Sequence, residues 1–68
     1  MKTKIKAMRK ELKVSQEELA ESVDVSRQTI ISIENGRYIA SLPLAFRIAR
    51  FFKTTIEEIF IYNEEEDE

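Results

Sequence analysis

Apolar side chains recur at every third or fourth position along nearly the whole chain, which is the spacing of one face of an α-helix. Val, Ile and the aromatic residues never alternate with polar residues over the length of a strand. The chain has one glycine, Gly36, and one proline, Pro43, so the ends of its elements must be found from helix-capping residues. The pattern predicts an all-α fold of five short helices.

The first two helices are predicted near the N-terminus. The first spans about Thr3 to Leu12, and lysines surround its apolar stripe. The second begins at Ser15, because Ser-Gln-Glu-Glu is a capping box in which Ser15 and Glu18 bind each other's backbone amides. Its buried stripe ends close to Asp24, where the chain must turn.

The third and fourth helices are also bounded by capping residues. The third starts at Ser26 and ends at Gly36, which suits a left-handed stop. The fourth opens with Ser41 and Pro43, since proline is tolerated in a first turn, and it continues to about Phe52.

The last helix and the C-terminal residues complete the chain. Thr-Ile-Glu-Glu from Thr55 is a second capping box, and the helix that it opens ends at Phe60 or Ile61. All five of the final residues are acidic, so residues 63–68 carry a charge of −5, whereas residues 1–62 carry +3. We predict one domain over residues 1–62 and a disordered, solubilising tail over 63–68.

The composition excludes several kinds of chemistry. Without cysteine the chain forms no disulfides, thiolate nucleophile or Cys-based metal site, and a reducing cytoplasm is its simplest location. Without histidine it lacks the commonest general base and neutral metal ligand. No apolar run is long enough to span a membrane, and the first dozen residues contain no signal-peptide core. We therefore expect neither an enzyme nor a protein that holds a metal or cofactor.

The predicted third helix has an unusual exposed face. On a helical wheel Ile30 and Ile33 lie together on the buried side. The opposite side carries Arg27, Gln28, Ile31, Ser32 and Asn35. Such side chains read base edges in the major groove, where Arg pairs with guanine, Gln with adenine, and an apolar group contacts the thymine methyl. The alternative is an ordinary solvated face, although such a face more often carries Glu and Lys.

The second and third helices are joined by a turn of about three residues, the arrangement of a helix-turn-helix. The stretch SQEELAESVDVSRQTIISIENGR, residues 15–37, resembles the phage-repressor-like helix-turn-helix family, also called the Cro/cI or XRE type. The basic first helix and the segments SLPLAFRIARFF and TTIEEIF extend the resemblance to about residue 61. It implies a compact five-helix, lambda-repressor-like DNA-binding domain with the helix-turn-helix at helices 2 and 3.

The resemblance also implies roles for individual residues. Gln16 is similar to a residue that binds a phosphate and braces the recognition helix. Arg9 and Glu34 resemble a partly buried ion pair that clamps the first helix to the third. The positions that resemble base-reading ones are Arg27, Gln28, Ile31 and Ser32. The positions that resemble phosphate contacts are Gln16, Ser26, Asn35 and Arg37.

Three residues depart from the pattern of the family. Asp24 and Lys53 replace glycines at positions that favour a positive φ, and each substitution costs on the order of 1 kcal/mol if that geometry is kept. Ile31 stands where the family often has a small polar residue. The preferred DNA sequence therefore need not be that of its relatives.

A homodimer is expected for two reasons. One recognition helix reads only a few base pairs, and the usual solution is a symmetric pair that binds half-sites about 34 Å apart. The fourth helix is apolar over an arc of roughly 220°, wider than one small core needs. We predict an isologous interface made by Phe51, Ile59, Phe60, Ile61 and Tyr62. The alternative is one compact core that absorbs all four Phe.

These observations favour a sequence-specific regulator of transcription that binds double-stranded DNA and represses a promoter from a palindromic operator. The alternative is a protein-interaction module, such as an antitoxin or a bridging factor, in which the acidic tail or the aromatic patch carries the function. The tail could also compete with DNA for the basic surface. No small-molecule ligand and no membrane partner are evident, and the chain is too short for a sensor domain.

Overall fold

Helices α1 to α5 and one short pair of strands make up residues 1–62, the part of the chain that the computed structural model describes. The strands are β1 (Lys2–Thr3) and β2 (Phe60–Ile61), which pair antiparallel. The helices are α1 (Ile5–Leu12), α2 (Gln16–Ser22), α3 (Arg27–Glu34), α4 (Leu42–Phe51) and α5 (Ile56–Ile59). The prediction of a five-helix fold is confirmed. Residues 63–68, and with them the predicted disordered tail, lie outside the described residues.

A side-chain hydroxyl begins each of the helices α2 to α5. The N-cap residues are Ser15, Ser26, Ser41 and Thr55, as the sequence predicted. At α2 both hydrogen bonds of the capping box form, since the Glu18 amide donates to Ser15 Oγ over 3.0 Å and the Ser15 amide donates to Glu18 Oε1. At α5 Thr55 Oγ1 accepts from the amide three residues ahead. These bonds satisfy amides that a helix leaves without partners at its first turn.

A left-handed residue follows each of the helices α1 to α4. The four positions and their φ angles are Lys13 (58°), Asp24 (61°), Gly36 (75°) and Lys53 (57°). After α3 the Gly36 amide donates to the Ile33 carbonyl and the Arg37 amide donates to the Ser32 carbonyl, which is the Schellman arrangement. The positive φ expected at Asp24 and Lys53 is confirmed. The one at Lys13 was not predicted.

The core receives side chains from all five helices. Its wholly buried members are Ile5, Leu19, Val23, Ile30, Ile33, Ile48 and Ile59. Phe51, Phe52 and Phe60 pack against it from the edge, whereas Phe46 is 52% exposed. The placement of Ile59 in an interface between chains is therefore wrong, because this side chain is buried within its own chain and a partner could not reach it.

The strand pair corrects the predicted ends of the first and last helices. Lys2 lies opposite Ile61 and Thr3 opposite Phe60, so helix α5 ends before Phe60 and helix α1 begins after Thr3. The Lys4 amide adds a further hydrogen bond to the Ile59 carbonyl, 2.8 Å long. A strand of two residues produces no alternating pattern, and its partner lies at the other end of the chain, so periodicity could not reveal it. Within residues 1–62 no helix has the length and apolarity needed to cross a membrane.

Candidate nucleic-acid interface

Helices α2 and α3 meet through a turn that the rest of the fold holds in place. The turn contains the left-handed Asp24, and behind it the Val25 amide donates to the Ala20 carbonyl over 3.0 Å. From α4, Arg47 Nε donates to the Val23 carbonyl at the end of α2 over 3.1 Å. This bond satisfies a carbonyl that the end of a helix leaves without a partner. The angle between the two helices is thus fixed by contacts to a third.

A buried ion pair joins α1 to the end of α3. Arg9 Nε lies 2.6 Å from Glu34 Oε2 and Arg9 Nη2 lies 3.1 Å from Glu34 Oε1, while Arg9 Nη1 donates to the Val14 carbonyl. The side chains are 10% and 4% exposed. Two charges so far from water are stable only when their hydrogen-bonding groups are well satisfied, and the paired geometry supplies these bonds.

Gln16 extends this network from α2. Its Nε2 donates to Glu34 Oε1 over 3.1 Å, so one carboxylate contacts both the first and the second helix. Gln16 is half-buried and lies in the first turn of α2. The structure thus brings Arg9, Gln16 and Glu34 together at the end of α3. A contact from Gln16 to a phosphate remains a prediction.

The predicted base-reading residues lie on the side of α3 away from its buried residues, Ile30 and Ile33. Arg27 and Gln28 are exposed, whereas Ile31 and Ser32 are half-buried. Gln28 Nε2 lies 3.4 Å from Ser32 Oγ, one turn further along the helix.

The predicted phosphate contacts beside this face occupy the two ends of α3. Ser26 is the N-cap of the helix, and its Oγ accepts from the Thr29 amide. Asn35 is the C-cap, and Arg37 follows the left-handed glycine; both are exposed. Ser26 is thus engaged in capping α3, while the side chains of Asn35 and Arg37 face solvent.

Two shallow grooves flank α3. The first, which we call the Gln16 groove, has a volume of about 410 Å³ and is lined by Arg9, Ser15, Gln16, Glu17 and Arg27. The second, the Tyr38 groove, has a volume of about 370 Å³ and is lined by Ser26, Gln28, Thr29, Ser32, Arg37 and Tyr38. Thr29 and Tyr38 were not predicted as site residues from the sequence. The one signal that could have pointed to Tyr38 is its position two residues after the glycine that ends α3.

An apolar face lies elsewhere on the molecule. Its exposed members include Leu42 (64%) and Phe46 (52%) of α4. Ile61 and Tyr62, both predicted to lie in a dimer interface, are exposed as well. A groove of about 320 Å³ runs along this face, lined by Met1, Ile39, Ala40, Leu42, Ala45, Ile56, Glu57, Phe60 and Tyr62. Phe51, also assigned to the interface, is half-buried and stacks edge-to-face on Phe52, with ring centroids 4.9 Å apart.

The two helices, the turn between them and the exposed face of α3 define a helix-turn-helix DNA-binding domain. A family model described as helix-turn-helix matches the chain over residues 5–59. The chain belongs to the Cro/cI-type, or XRE, family of helix-turn-helix transcriptional regulators, as the sequence predicted. Its members are DNA-binding proteins and not enzymes.

Relatives of nearly equal length are found in archaea and bacteria. The chain is 54% identical over 66 residues to the HTH-type transcriptional regulator MJ0272 of Methanocaldococcus jannaschii, covering 97% of this chain and 100% of that protein. It is 45% identical over 65 residues to the HTH-type transcriptional regulator YgzD of Bacillus subtilis, covering 96% and 98%. The crystal structure of the clp gene regulator ClgR from Corynebacterium glutamicum shares the fold, with a TM-score of 0.74 at 24% identity. That match covers 79% of this chain and 57% of ClgR.

Proposed function

We propose that residues 1–62 form a repressor domain that binds a palindromic operator as a homodimer in the cytoplasm, without a cofactor. The observation that carries the proposal is the way in which α3 is fixed to the rest of the domain. Its inner face is fixed by the core and by the buried pair of Arg9 with Glu34, while its outer face presents polar side chains to solvent. A helix held in this way can enter the major groove without reordering. A dimer bound across a promoter blocks transcription by occupancy, so repression needs no further domain.

The proposed roles follow from the chemistry of each side chain. Arg27 pairs with guanine, and Gln28 pairs with adenine through its amide. Ile31 contacts a thymine methyl, and Ser32 donates to or accepts from a base edge. The phosphate contacts are Gln16, Ser26, Asn35 and Arg37, which fix the register of the domain on the duplex without reading the sequence.

The apolar face is the proposed dimer interface. Contiguous exposed apolar surface of this kind usually marks a site of association. Arg50 and Glu57 line the same part of the surface beside Phe46. A two-fold contact brings each residue of one protomer near different residues of its partner, so these opposite charges can complement each other across the interface. Relative to the sequence prediction, the proposed interface keeps Ile61 and Tyr62 and adds Leu42 and Phe46.

The same face also supports a second candidate, a protein-interaction module such as an antitoxin or bridging factor. In that case the apolar face binds a different protein rather than a second copy. A partner that remains bound after Arg27 and Gln28 are both changed to Ala would favour this function. Association of the purified chain with itself through Leu42 would favour the dimer.

Selection of bound sequences from random duplex DNA at near-physiological salt tests the repressor proposal. We expect a palindromic consensus with half-sites about 34 Å apart, one helical turn of DNA. Enrichment of no sequence, with only weak and salt-sensitive binding, would contradict sequence-specific recognition.

Changing Gln28 to Ala tests the assignment of the base contacts. We expect Gln28→Ala to lose about 1–3 kcal/mol of discrimination at one base pair of each half-site, because the bidentate contact to adenine is gone. Binding to random duplex should change little, since phosphate contacts supply it. Competition assays with all four bases at each position measure both effects, and Ser22→Ala, an exposed position at the other end of α2, serves as the control. An unchanged base preference would remove Gln28 from the reading face.

A further inference from the structure

We propose that the Tyr38 groove binds one phosphate of the DNA backbone, with the hydroxyl of Tyr38 and the guanidinium of Arg37 as the donors. The inference rests on the proposed binding of α3 in the major groove. It adds a side chain, Tyr38, and places a phosphate site on the flank of α3 away from Gln16.

The backbone that carries these two side chains is fixed to the recognition helix. The amides of Arg37 and Tyr38 both donate to the carbonyl of Ser32, over 2.9 and 3.3 Å. Gly36 makes this possible because it adopts a left-handed conformation, with φ of 75°. Tyr38 therefore keeps its position relative to the base-reading face, and a phosphate held by it would set the register of α3 along the groove.

The charge of the Tyr38 groove favours an anion. Among residues 1–62, no acidic side chain lines it, and Arg37 contributes a positive charge. The Gln16 groove differs, since Glu17 lies there beside Arg27, and the charge of Arg9 is already neutralised by Glu34. The flank of α3 that carries Arg37 and Tyr38 is thus the less acidic of the two.

The chemistry of the lining suits a phosphate better than a base. Tyr38 is 48% exposed, so its ring contributes little to the core and its hydroxyl can reach a ligand. A helix with side chains is about 10–12 Å in diameter and nearly fills a major groove about 12 Å wide. The two sides of the helix then lie against the two sugar–phosphate backbones, and hydroxyl and guanidinium groups are the usual donors to phosphate oxygens.

The test compares Tyr38→Phe with Ser22→Ala, which removes an exposed hydroxyl at the end of α2, outside both grooves of α3. Each change removes one exposed hydroxyl, so thermal unfolding should be unaltered in both variants. We expect Tyr38→Phe to weaken binding about tenfold, by the same factor on the selected operator and on random duplex, because a charge-assisted bond to phosphate carries no sequence information. Ser22→Ala should bind the operator as the wild type does.

Duplexes with a single methylphosphonate then locate the contact. At one position in each half-site the neutral linkage should weaken wild-type binding, and at that position Tyr38→Phe should cause no additional loss. An affinity of Tyr38→Phe for DNA equal to that of the wild type would overturn the proposal. A loss of affinity confined to one base pair would also overturn it, as would a loss of equal size on every modified duplex. Failure of the wild type to bind any duplex would overturn the proposed function itself, which is a different result from a silent Tyr38→Phe.

Discussion

At the scale of single residues, the four left-handed positions that end α1 to α4 differ in how well they suit their geometry. At Lys13, Asp24 and Lys53 a side chain with a Cβ adopts φ near +60°, which costs roughly 1–2 kcal/mol relative to a right-handed conformation. Gly36 has no such cost, and it has a second reason to be glycine. A Cβ there would lie 3.3 Å from the carbonyl oxygen of Met1, closer than an ordinary contact.

Introducing a glycine at one of these positions and removing the glycine at another should therefore change the free energy of unfolding in opposite directions. We expect Lys53→Gly to raise the free energy of unfolding by about 1 kcal/mol, since it relieves the left-handed strain. We expect Gly36→Ala to lower it by about 1 kcal/mol or more, since strain and the contact with Met1 add. Urea denaturation measures both. Lys10→Gly, inside α1, is the control and should be destabilising by about 1 kcal/mol. A rise in the free energy of unfolding for all three variants, Lys53→Gly, Gly36→Ala and Lys10→Gly, would contradict this account.

The ion pair of Arg9 with Glu34 gives a second prediction at this scale. Glu34→Gln leaves the Arg9 guanidinium buried without a countercharge, so we expect the free energy of unfolding to fall by about 3 kcal/mol. Glu17→Gln makes the same chemical change at an exposed position, and it should alter the free energy of unfolding by less than about 0.5 kcal/mol. Denaturation curves of the two variants are directly comparable. A cost at Glu34 no larger than the cost at Glu17 would show that the pair does not hold α1 to α3.

Residue-scale features could be predicted only where the sequence carries a signal for them. The positive φ at Asp24 and Lys53 was expected from the resemblance, because glycine is usual at those positions. Lys13 carries no such signal, since lysine is common anywhere on a helix surface. The burial of Arg9 also required the resemblance, because an arginine on an amphipathic helix is most often exposed.

At the scale of elements, helix starts were predictable and the chain ends were not. An N-cap hydroxyl and its target amide lie three residues apart, so Ser15, Ser26, Ser41 and Thr55 mark their helices locally. The pairing of β1 with β2 joins residues about sixty positions apart, and no local pattern specifies it. The consequence is a helix α5 shorter than expected, with Phe60 and Ile61 in a strand.

A comparison of two N-cap residues, Ser26 and Ser41, can separate a role in helix capping from a role in DNA binding. Ser26→Ala and Ser41→Ala each remove an N-cap hydroxyl, and we expect each to lower the free energy of unfolding by about 1 kcal/mol. If Ser26 also contacts a phosphate, Ser26→Ala alone should weaken DNA binding when fully folded protein is compared. Isothermal titration at a temperature well below both unfolding transitions measures this. Equal affinity of the two variants would leave Ser26 with capping as its only role.

At the scale of the whole molecule, the sequence showed that apolar surface was left over but not which residues expose it. A helix that is apolar over most of its circumference, as α4 is, can face the core with several different sides. The structure turns Leu44 and Ile48 inward, into the same core as Ile59 of α5, and leaves Leu42 and Phe46 outside. Which side is buried depends on how α5 and the strand pair close the domain, and that is a property of the tertiary fold.

The exposed side of α4 gives the final prediction. If the apolar face joins two protomers, Leu42→Lys places a charge in the interface and should convert the dimer to a monomer, because a buried unpaired charge is strongly unfavourable. Leu12→Lys is the matched control, since Leu12 is 57% exposed at the end of α1, outside the groove of the apolar face. Neither change touches the core, so both variants should unfold at nearly the wild-type temperature. Sedimentation equilibrium should give a dimer for the wild type and Leu12→Lys and a monomer for Leu42→Lys.

The monomer should also bind a palindromic operator with a salt dependence about half as steep, since it contacts the phosphates of one half-site instead of two. A dimeric Leu42→Lys would place the interface elsewhere, and a monomeric wild type would favour a different protein as the partner of this face.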